Sequence, residues 1–236
     1  MSAAISLATS QNRLLAALPD ADYQRLLPHL QVVDLAVEQV LQGYNESVEY
    51  LYFPHQAVVS FVSILTNGAT VEVGLVGREG MVGIEALLSG SAMPTQAIVQ
   101  IAGQATRIRT DRLQAEFDRG GALQKRLLRY FQVLYTQASQ TAACNRLHQI
   151  EARLARWLLL VRYLTEADEL PLTQESISRM LGTRRPGVTA AANALQKAGL
   201  IRCRRGRITV QHPADLEAVA CECYQVVRNE FDRLLH

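Results

Sequence analysis

Residues 172–187 decide the fold, and they read Leu172-Thr-Gln-Glu-Ser-Ile-Ser-Arg-Met-Leu-Gly182-Thr-Arg-Arg-Pro-Gly187. Thr173 is a good helix N-cap. Gly182 supplies the backbone freedom for a sharp turn, and Pro186 is tolerated in the first turn of the helix that follows. Gly199 then ends that second helix. The stretch therefore predicts two short helices joined by a tight turn, which is the helix-turn-helix pattern.

An arginine-rich β-hairpin is predicted directly after the second helix. Leu200-Ile-Arg-Cys-Arg-Arg-Gly-Arg-Ile-Thr-Val210 alternates apolar and polar residues on both sides of an Arg205-Gly206 turn. Such a wing suits the phosphate backbone of DNA, whereas the first turns of the second helix would reach base edges. Arg185 is the best candidate for guanine recognition. The residues predicted to contact DNA are Thr173, Arg179, Arg184, Arg185, Thr189, Asn193, Lys197, Arg202, Arg204, Arg205 and Arg207.

Charge is distributed unevenly along the chain. The formal net charge is only +2, yet residues 171–212 hold eight basic groups against Glu175 alone. Residues 1–106 hold three arginines against nine acidic groups. This asymmetry is typical of a protein that presents only one end to a polyanion, and it predicts double-stranded DNA as the partner.

The rest of the chain predicts an α+β protein. Two short helices over Ser10–Leu30 precede short β-rich runs between 32 and 108, with a hairpin signal at Asn67-Gly68. A long helical segment, capped by Asp111, then continues to about His148. The predicted order is an N-terminal antiparallel, jelly-roll-like β-roll sensor domain (1–110), a long dimerisation helix (111–150) and a C-terminal winged helix-turn-helix domain (151–236).

The long helix carries apolar residues at an alternating spacing of three and four. Such a seam suits a helix that pairs with its own copy, although packing on the β-rich domain stays open as the alternative. The seam predicts a homodimer. The predicted interface residues are Leu123, Leu127, Tyr130, Phe131, Leu134, Ala138 and Thr141.

The four cysteines are scattered and include no CxxC pair. They are Cys144, Cys203, Cys221 and Cys223, and the Cys221-Glu-Cys223 spacing suits neither a zinc knuckle nor an ordinary disulfide. We expect buried or half-buried reduced thiols and no metal ligands, with redox sensing as the open alternative. The N-terminus lacks the pattern of a secretory signal, and no apolar run is long enough to span a membrane. These features predict a cytoplasmic protein with no membrane partner.

The order of β-rich domain, long helix and winged helix-turn-helix resembles the Crp/Fnr family of bacterial regulators across nearly the whole chain. The strongest match is Thr173–Ile201, which aligns without a gap to the helix-turn-helix of that family. The resemblance implies an effector-sensing β-roll and a homodimer whose two recognition helices enter successive major grooves of a palindromic operator. It implies RNA polymerase as a further partner if binding activates transcription.

The recognition helix departs from the family pattern. Many members begin this helix with Ser-Arg-Glu-Thr and carry an Arg one turn later, whereas this chain has Arg184-Arg-Pro-Gly187 and then Ala190. Only Arg185 carries over, and Pro186 stands where a Glu would accept from cytosine. The usual half-site of the family is therefore not expected.

The candidate effector region also departs from the family pattern. Family members that bind cyclic AMP place a Gly-Glu pair and then Arg-Ser around the nucleotide. Glu85 could hold the ribose, but Met93–Gln96 offers no cation, and a buried phosphate without one is costly. Arg78 stays open as a substitute. The candidate effector pocket comprises Arg78, Gly83, Glu85, Thr95 and Gln96; we expect no cofactor, disfavour cyclic AMP and leave the effector unknown.

Other cofactors and function classes find less support. Iron–sulfur sensing needs a cysteine cluster, usually N-terminal, whereas the first cysteine here is Cys144. Haem stays open because one His or Cys can suffice, although His29 and His55 are typical of ordinary surface or core residues. We expect no enzyme, because no His/Glu triad or nucleophilic motif emerges. The alternative is a cyclic-nucleotide-responsive module that acts on a protein partner, and the arginine-rich wing argues against it.

Overall fold

The computed structural model describes residues 11–90 and 94–235. Its N-terminal part packs two antiparallel sheets into a roll, with strand orders β1-β7-β3 and β2-β6-β4-β5. Ser10, where the helical stretch was expected to begin, and Met93, at the start of the cation-free stretch, lie outside the described residues. The strands are β1 (Gln31–Leu35), β2 (Val40–Gln42), β3 (Tyr50–Pro54), β4 (Val58–Ile64), β5 (Thr70–Val76), β6 (Thr95–Ile101) and β7 (Gly103–Arg109).

Helices surround the roll and lead into the C-terminal part. A short 3₁₀ turn, Leu27–His29, follows α2, and a third antiparallel sheet has the order β8-β10-β9. The helices are α1 (Arg13–Ala16), α2 (Asp20–Leu26), α3 (Ile84–Ser89), α4 (Thr110–Asp118), α5 (Ala122–Leu147), α6 (Ile150–Thr165), α7 (Gln174–Met180), α8 (Arg185–Lys197), α9 (Pro213–Val219) and α10 (Cys223–Leu235). The remaining strands are β8 (Glu169–Leu170), β9 (Ile201–Arg204) and β10 (Arg207–Val210).

The predicted α+β fold with antiparallel sheets, a long helix and a C-terminal helix-turn-helix is confirmed. Asn67-Gly68 lies in the β4–β5 turn, and Gly68 has a φ of +79°. The predicted cap at Asp111 is wrong, because α4 begins at Thr110 with Arg109 at its N-cap position. None of the described helices is both long and apolar enough to cross a membrane.

Helix α5 packs one face against its own chain. Leu127 and Tyr130 are buried there, the Tyr130 hydroxyl donates to the Met81 carbonyl at 2.9 Å, and Gln137 pairs with the backbone of Leu75. Of the seven predicted interface residues, four are buried inside the single chain: Leu123, Leu127, Tyr130 and Thr141. In the single chain these four pack inward, against the β-rich domain and α10. The predicted residues left at least partly accessible to a second copy are Phe131, Leu134 and Ala138. Packing on the β-rich domain, the alternative left open by the sequence, thus accounts for part of this face.

A second apolar stripe on α5 is exposed to solvent. Leu128, Phe131 and Tyr135 are 45%, 38% and 68% exposed, and Ala138 and Ala142 continue the same spacing of three and four. Phe131 and Ala138 of the predicted set therefore belong to this exposed stripe. Its other members are neighbours of the buried residues along the helix.

Helix α6 joins the roll to the C-terminal part. Its Trp157 is buried, and the indole Nε1 donates to the Glu72 carboxylate on β5 at 2.8 Å. Glu72 also accepts from Ser60 Oγ at 2.5 Å. This buried polar contact ties the four-stranded sheet of the roll to the helix that supports the helix-turn-helix.

Candidate nucleic-acid interface

The first helix of the helix-turn-helix is set by a capping box. Thr173 Oγ1 accepts from the Ser176 N–H, and Ser176 Oγ accepts from the Thr173 N–H, both at 3.1 Å. Gly182 then adopts a φ of +57° in the turn. A Cβ added at Gly182 would lie 3.0 Å from Val71 of the sensor sheet, so both conformation and space favour glycine there.

The second helix, α8, separates a buried face from an exposed one. Its inner face buries Val188, Ala191, Ala192 and Leu195. Arg184, Arg185, Asn193 and Lys197 are exposed, and from Arg185 onward these side chains recur at multiples of four along one side of the helix. The arrangement leaves the amino end of α8 and one continuous polar strip open to solvent.

Thr189 occupies a different position from the one predicted. It is half-buried, and its hydroxyl lies 2.7 Å from Gln174 Oε1 and 3.1 Å from the Arg185 carbonyl. Thr189 therefore links the two helices of the motif. Gln174, which was absent from the predicted set, shares the open groove with Arg185; its place in the first turn of α7 was the available sequence signal.

The wing is a tight two-residue hairpin. Arg204 pairs with Arg207, and the intervening Arg205 and Gly206 have φ values of +46° and +77°, as a type I′ turn requires. Arg202, Arg204, Arg205 and Arg207 are all exposed. Ile201, Ile208 and Val210 turn inward, so the apolar residues anchor the wing while its cations face solvent.

Wing and recognition helix share one groove of about 320 Å³. Its walls come from the first turn of α7, the amino end of α8 and the tip of the wing. The lining residues are Leu172, Thr173, Gln174, Arg185, Cys203, Arg204, Arg205, Gly206, Arg207 and Ile208. The fold therefore brings together in one groove the positive charges that the sequence spreads over 23 residues, from Arg185 to Arg207.

Two of the predicted cations have acidic partners. Arg179 pairs with Glu38 of the sensor roll, and Arg207 pairs with Glu169 on β8. Both pairs are exposed, so each contributes little to stability and is easily exchanged for another anion.

The candidate effector pocket is only partly assembled. A cleft of about 200 Å³ between the roll and α5 includes Glu85 and Thr95, whereas Arg78, Gly83 and Gln96 do not line it. Arg78 instead pairs with Glu166 at the end of α6, and its role as a phosphate partner stays an open alternative. Among the described residues no cation lines the cleft, which comprises Phe61, Val73, Gly74, Glu85, Thr95, Phe131, Leu134, Tyr135 and Ala138. Burial raises the pKa of Glu85.

The two candidate haem ligands occupy ordinary positions. His29 is exposed, and His55 is buried with its Nε2 2.9 Å from Thr106 Oγ1. Burial lowers the pKa of His55. Neither histidine lines the cleft.

Comparison with known proteins agrees with this architecture. Residues 152–219 match the Crp-like helix-turn-helix domain family. The chain has the Crp/Fnr fold and carries a Crp-like helix-turn-helix domain. No curated protein sequence matches the chain.

Three solved structures illustrate the likeness in fold. FixK2 from Bradyrhizobium japonicum has a TM-score of 0.70 and 17% identity, covering 81% of this chain and 98% of its own. The c-di-GMP responsive global regulator CLP of Xanthomonas campestris has a TM-score of 0.64 and 17% identity, covering 82% and 100%. A CRP/FNR-family transcriptional regulator from Thermus thermophilus has a TM-score of 0.61 and 17% identity, covering 80% and 98%. The Crp-like domain of this chain thus stands in the same overall architecture as these regulators.

Proposed function

We propose that this protein is a sequence-specific DNA-binding transcription regulator that binds a palindromic operator as a homodimer in the cytoplasm. The observation that carries the proposal is the shared groove, where Arg185 at the start of α8 meets the arginines of the wing. Double-stranded DNA is a ligand that fits both α8 and the wing, because α8 can enter a major groove while the wing follows the phosphates.

The assignment of roles follows from exposure. Arg184, Arg185 and Asn193 lie on the open strip of α8 and would face base edges. Lys197, Arg179 and the wing arginines would neutralise phosphates, with Arg179 exchanging Glu38 for DNA. Thr173 and Thr189 would position the two helices through the capping box and the contact to Gln174.

We propose the exposed stripe of α5 (Leu128, Phe131, Tyr135, Ala138 and Ala142) as the dimer face. Three large apolar side chains are left in solvent at a coiled-coil spacing, which favours pairing with a second copy. A homodimer places two recognition helices on one side of a duplex and explains why a palindrome is expected. RNA polymerase is a further partner if the protein activates transcription.

Selection of bound duplexes from a random pool tests the function directly. The full-length protein is expected to enrich two inverted half-sites with centres one helical turn apart, about 34–36 Å along the duplex. Light scattering at micromolar concentration is expected to give twice the chain mass. Enrichment of no common sequence, or a monomer that binds a single half-site, would refute the proposal.

A further inference from the structure

Four potential metal ligands converge where the carboxyl end of α5 meets the α9–α10 junction. Cys144 lies in the last turn of α5 and His148 follows that helix, while Cys221 and Cys223 stand at the start of α10. Their ligand atoms all lie within 4.8 Å of one another, although 77 residues separate Cys144 from Cys221. No metal ligands were expected from the sequence, because the four cysteines are scattered and the Cys221-Glu-Cys223 spacing does not suit a zinc knuckle.

The distances match those around a single tetrahedral ion. Cys144 Sγ lies 3.5 Å from Cys221 Sγ, and Cys223 Sγ lies 3.5 Å from His148 Nδ1. Zn–S bonds of about 2.3 Å and Zn–N bonds of about 2.0 Å place neighbouring ligand atoms roughly 3.5–3.8 Å apart. In an iron–sulfur cluster the four ligands are divided among two or four irons, so as a set they span a greater distance than the ligands of a single ion. We propose that Cys144, His148, Cys221 and Cys223 bind one Zn²⁺ ion per chain in a structural site.

The surroundings of the ligands fit this role. His148 Nε2 lies 3.2 Å from the Glu222 carboxylate, which orients the ring and leaves Nδ1 for the metal. Gln140 Nε2 donates to Cys223 Sγ at 3.3 Å. A carboxylate behind the histidine and an N–H donor to a sulfur are the outer contacts that hold metal ligands in place.

The local charge also favours an anionic centre. Three thiolates and Zn²⁺ carry one net negative charge, and Arg156 is buried beside them with 3% exposure. Among the described residues, Nε and Nη1 of Arg156 have no hydrogen-bond partner. A buried guanidinium needs nearby negative charge, and the occupied site would add to that of Glu72.

The position of the site defines what the ion does. Two ligands come from α5 and the residue that follows it, and α5 carries the exposed dimer stripe; the other two come from the start of the last helix of the chain. Four protein ligands leave no open coordination position, so the ion would fasten these elements together rather than activate water. Binding energy at such a site is folding energy.

Cobalt substitution in the full-length protein tests the site. Reduced, chelator-treated protein is expected to bind one Co²⁺ per chain with the visible bands of tetrahedral cobalt–thiolate coordination, and one equivalent of Zn²⁺ should abolish them. Added Zn²⁺ should also raise the melting temperature. Absence of tetrahedral bands in the reduced wild-type protein would overturn the proposal, as would a Cys144–Cys221 disulfide in protein purified with zinc present.

Variants assign the ligands. Cys221→Ser and His148→Gln should abolish the stoichiometric binding, and Glu222→Gln should weaken it about 10–100-fold while the protein stays folded. Cys203→Ser is the matched control, since Cys203 lies half-buried on the wing hairpin, and it should retain one equivalent. If Cys221→Ser fails to fold, the metal titrations of Glu222→Gln and of the wild-type protein still test whether the site exists. The ligand set would be refuted if Glu222→Gln bound the metal ion as tightly as wild type and Cys203→Ser lost metal binding.

Discussion

Glu72 is a buried carboxyl group at the contact between the sensor roll and α6. Desolvation raises its pKa to about 7, although hydrogen bonds from Ser60 and Trp157 and the charge of Arg156 oppose the shift. Its unfolded-state pKa is near 4.5. Because the folded state holds this proton more tightly, the contribution of Glu72 to stability is complete below pH 4.5 and is lost as pH rises to about 7.

We predict that Glu72→Gln stabilises the protein at neutral and higher pH. The amide can still accept from Trp157 and contact Ser60 without the cost of a buried charge. Relative to wild type, the gain should be near zero at pH 4.5 and reach at most about 3 kcal/mol above pH 7, from the size of the pKa shift. Denaturant unfolding across this pH range measures it, with Glu46→Gln, an exposed carboxylate of the same roll, as control. A constant difference at all pH values would contradict the linkage.

Arg185 begins α8 and is exposed in the groove shared with the wing. We predict that Arg185→Ala removes most of the discrimination between the selected operator and random duplex. A bidentate arginine–guanine contact contributes about 1–3 kcal/mol, and a dimer has two half-sites, so roughly 2–6 kcal/mol should be lost. Competition by fluorescence anisotropy measures this loss. Arg119→Ala, at the end of α4 and outside the groove, should leave discrimination intact; unchanged discrimination in Arg185→Ala would show that the register of the recognition helix is different.

At the scale of elements, we expect the wing to bind DNA through charge rather than base recognition. Arg204 is exposed beside the type I′ turn, so we predict that Arg204→Ala weakens binding equally for operator and random DNA. The slope of log K against log salt should fall by about one per chain, hence about two per dimer. Binding titrations between low and physiological salt check this, with Arg119→Ala again as control. A sequence-dependent loss would instead place Arg204 against a base.

Helix α5 carries two apolar stripes, and only the exposed one is available to a second copy. We predict that Tyr135→Glu shifts the protein toward monomer, because a charge in a helix–helix seam lacks a partner. Leu147→Glu is the matched control, since Leu147 lies on the same helix, is 73% exposed and falls off the stripe. Sedimentation at several concentrations measures the dimer dissociation constant. Equal effects of both changes would exclude the stripe as the dimer face.

The two stripes of α5 also show which structural features could be predicted from the sequence and which could not. The helix-turn-helix and its wing follow from local signals, such as the Thr173 cap, the Gly182 turn and the Arg205-Gly206 hairpin, and these elements form where they were predicted. The register of the α5 interface could not be foretold, because adjacent stripes have the same spacing and only packing by the roll and α10 decides which one is buried. The Cys144–Cys221 approach depends in the same way on elements distant in sequence.

At the scale of the whole molecule, the helix-turn-helix packs against the N-terminal roll. Glu38 holds Arg179, Val71 contacts the Gly182 turn, and Glu72 accepts from Trp157. Glu38 of the roll thus pairs with Arg179, which we propose as a phosphate contact. An effector that altered the roll could change how these contacts compete with DNA, which gives sensing a physical route to binding.

The residues that line the cleft between the roll and α5 indicate which effectors could bind there. Because no described cation lines the cleft and Arg78 pairs with Glu166, a cyclic phosphate would lack a counter-charge. We predict that millimolar cyclic AMP leaves the melting temperature unchanged. A ligand at 100 times its dissociation constant would stabilise the native protein by about 2.7 kcal/mol, so binding would be visible. The selected operator duplex serves as positive control; a saturable rise with cyclic AMP would mean that the pocket closes around the phosphate in another way.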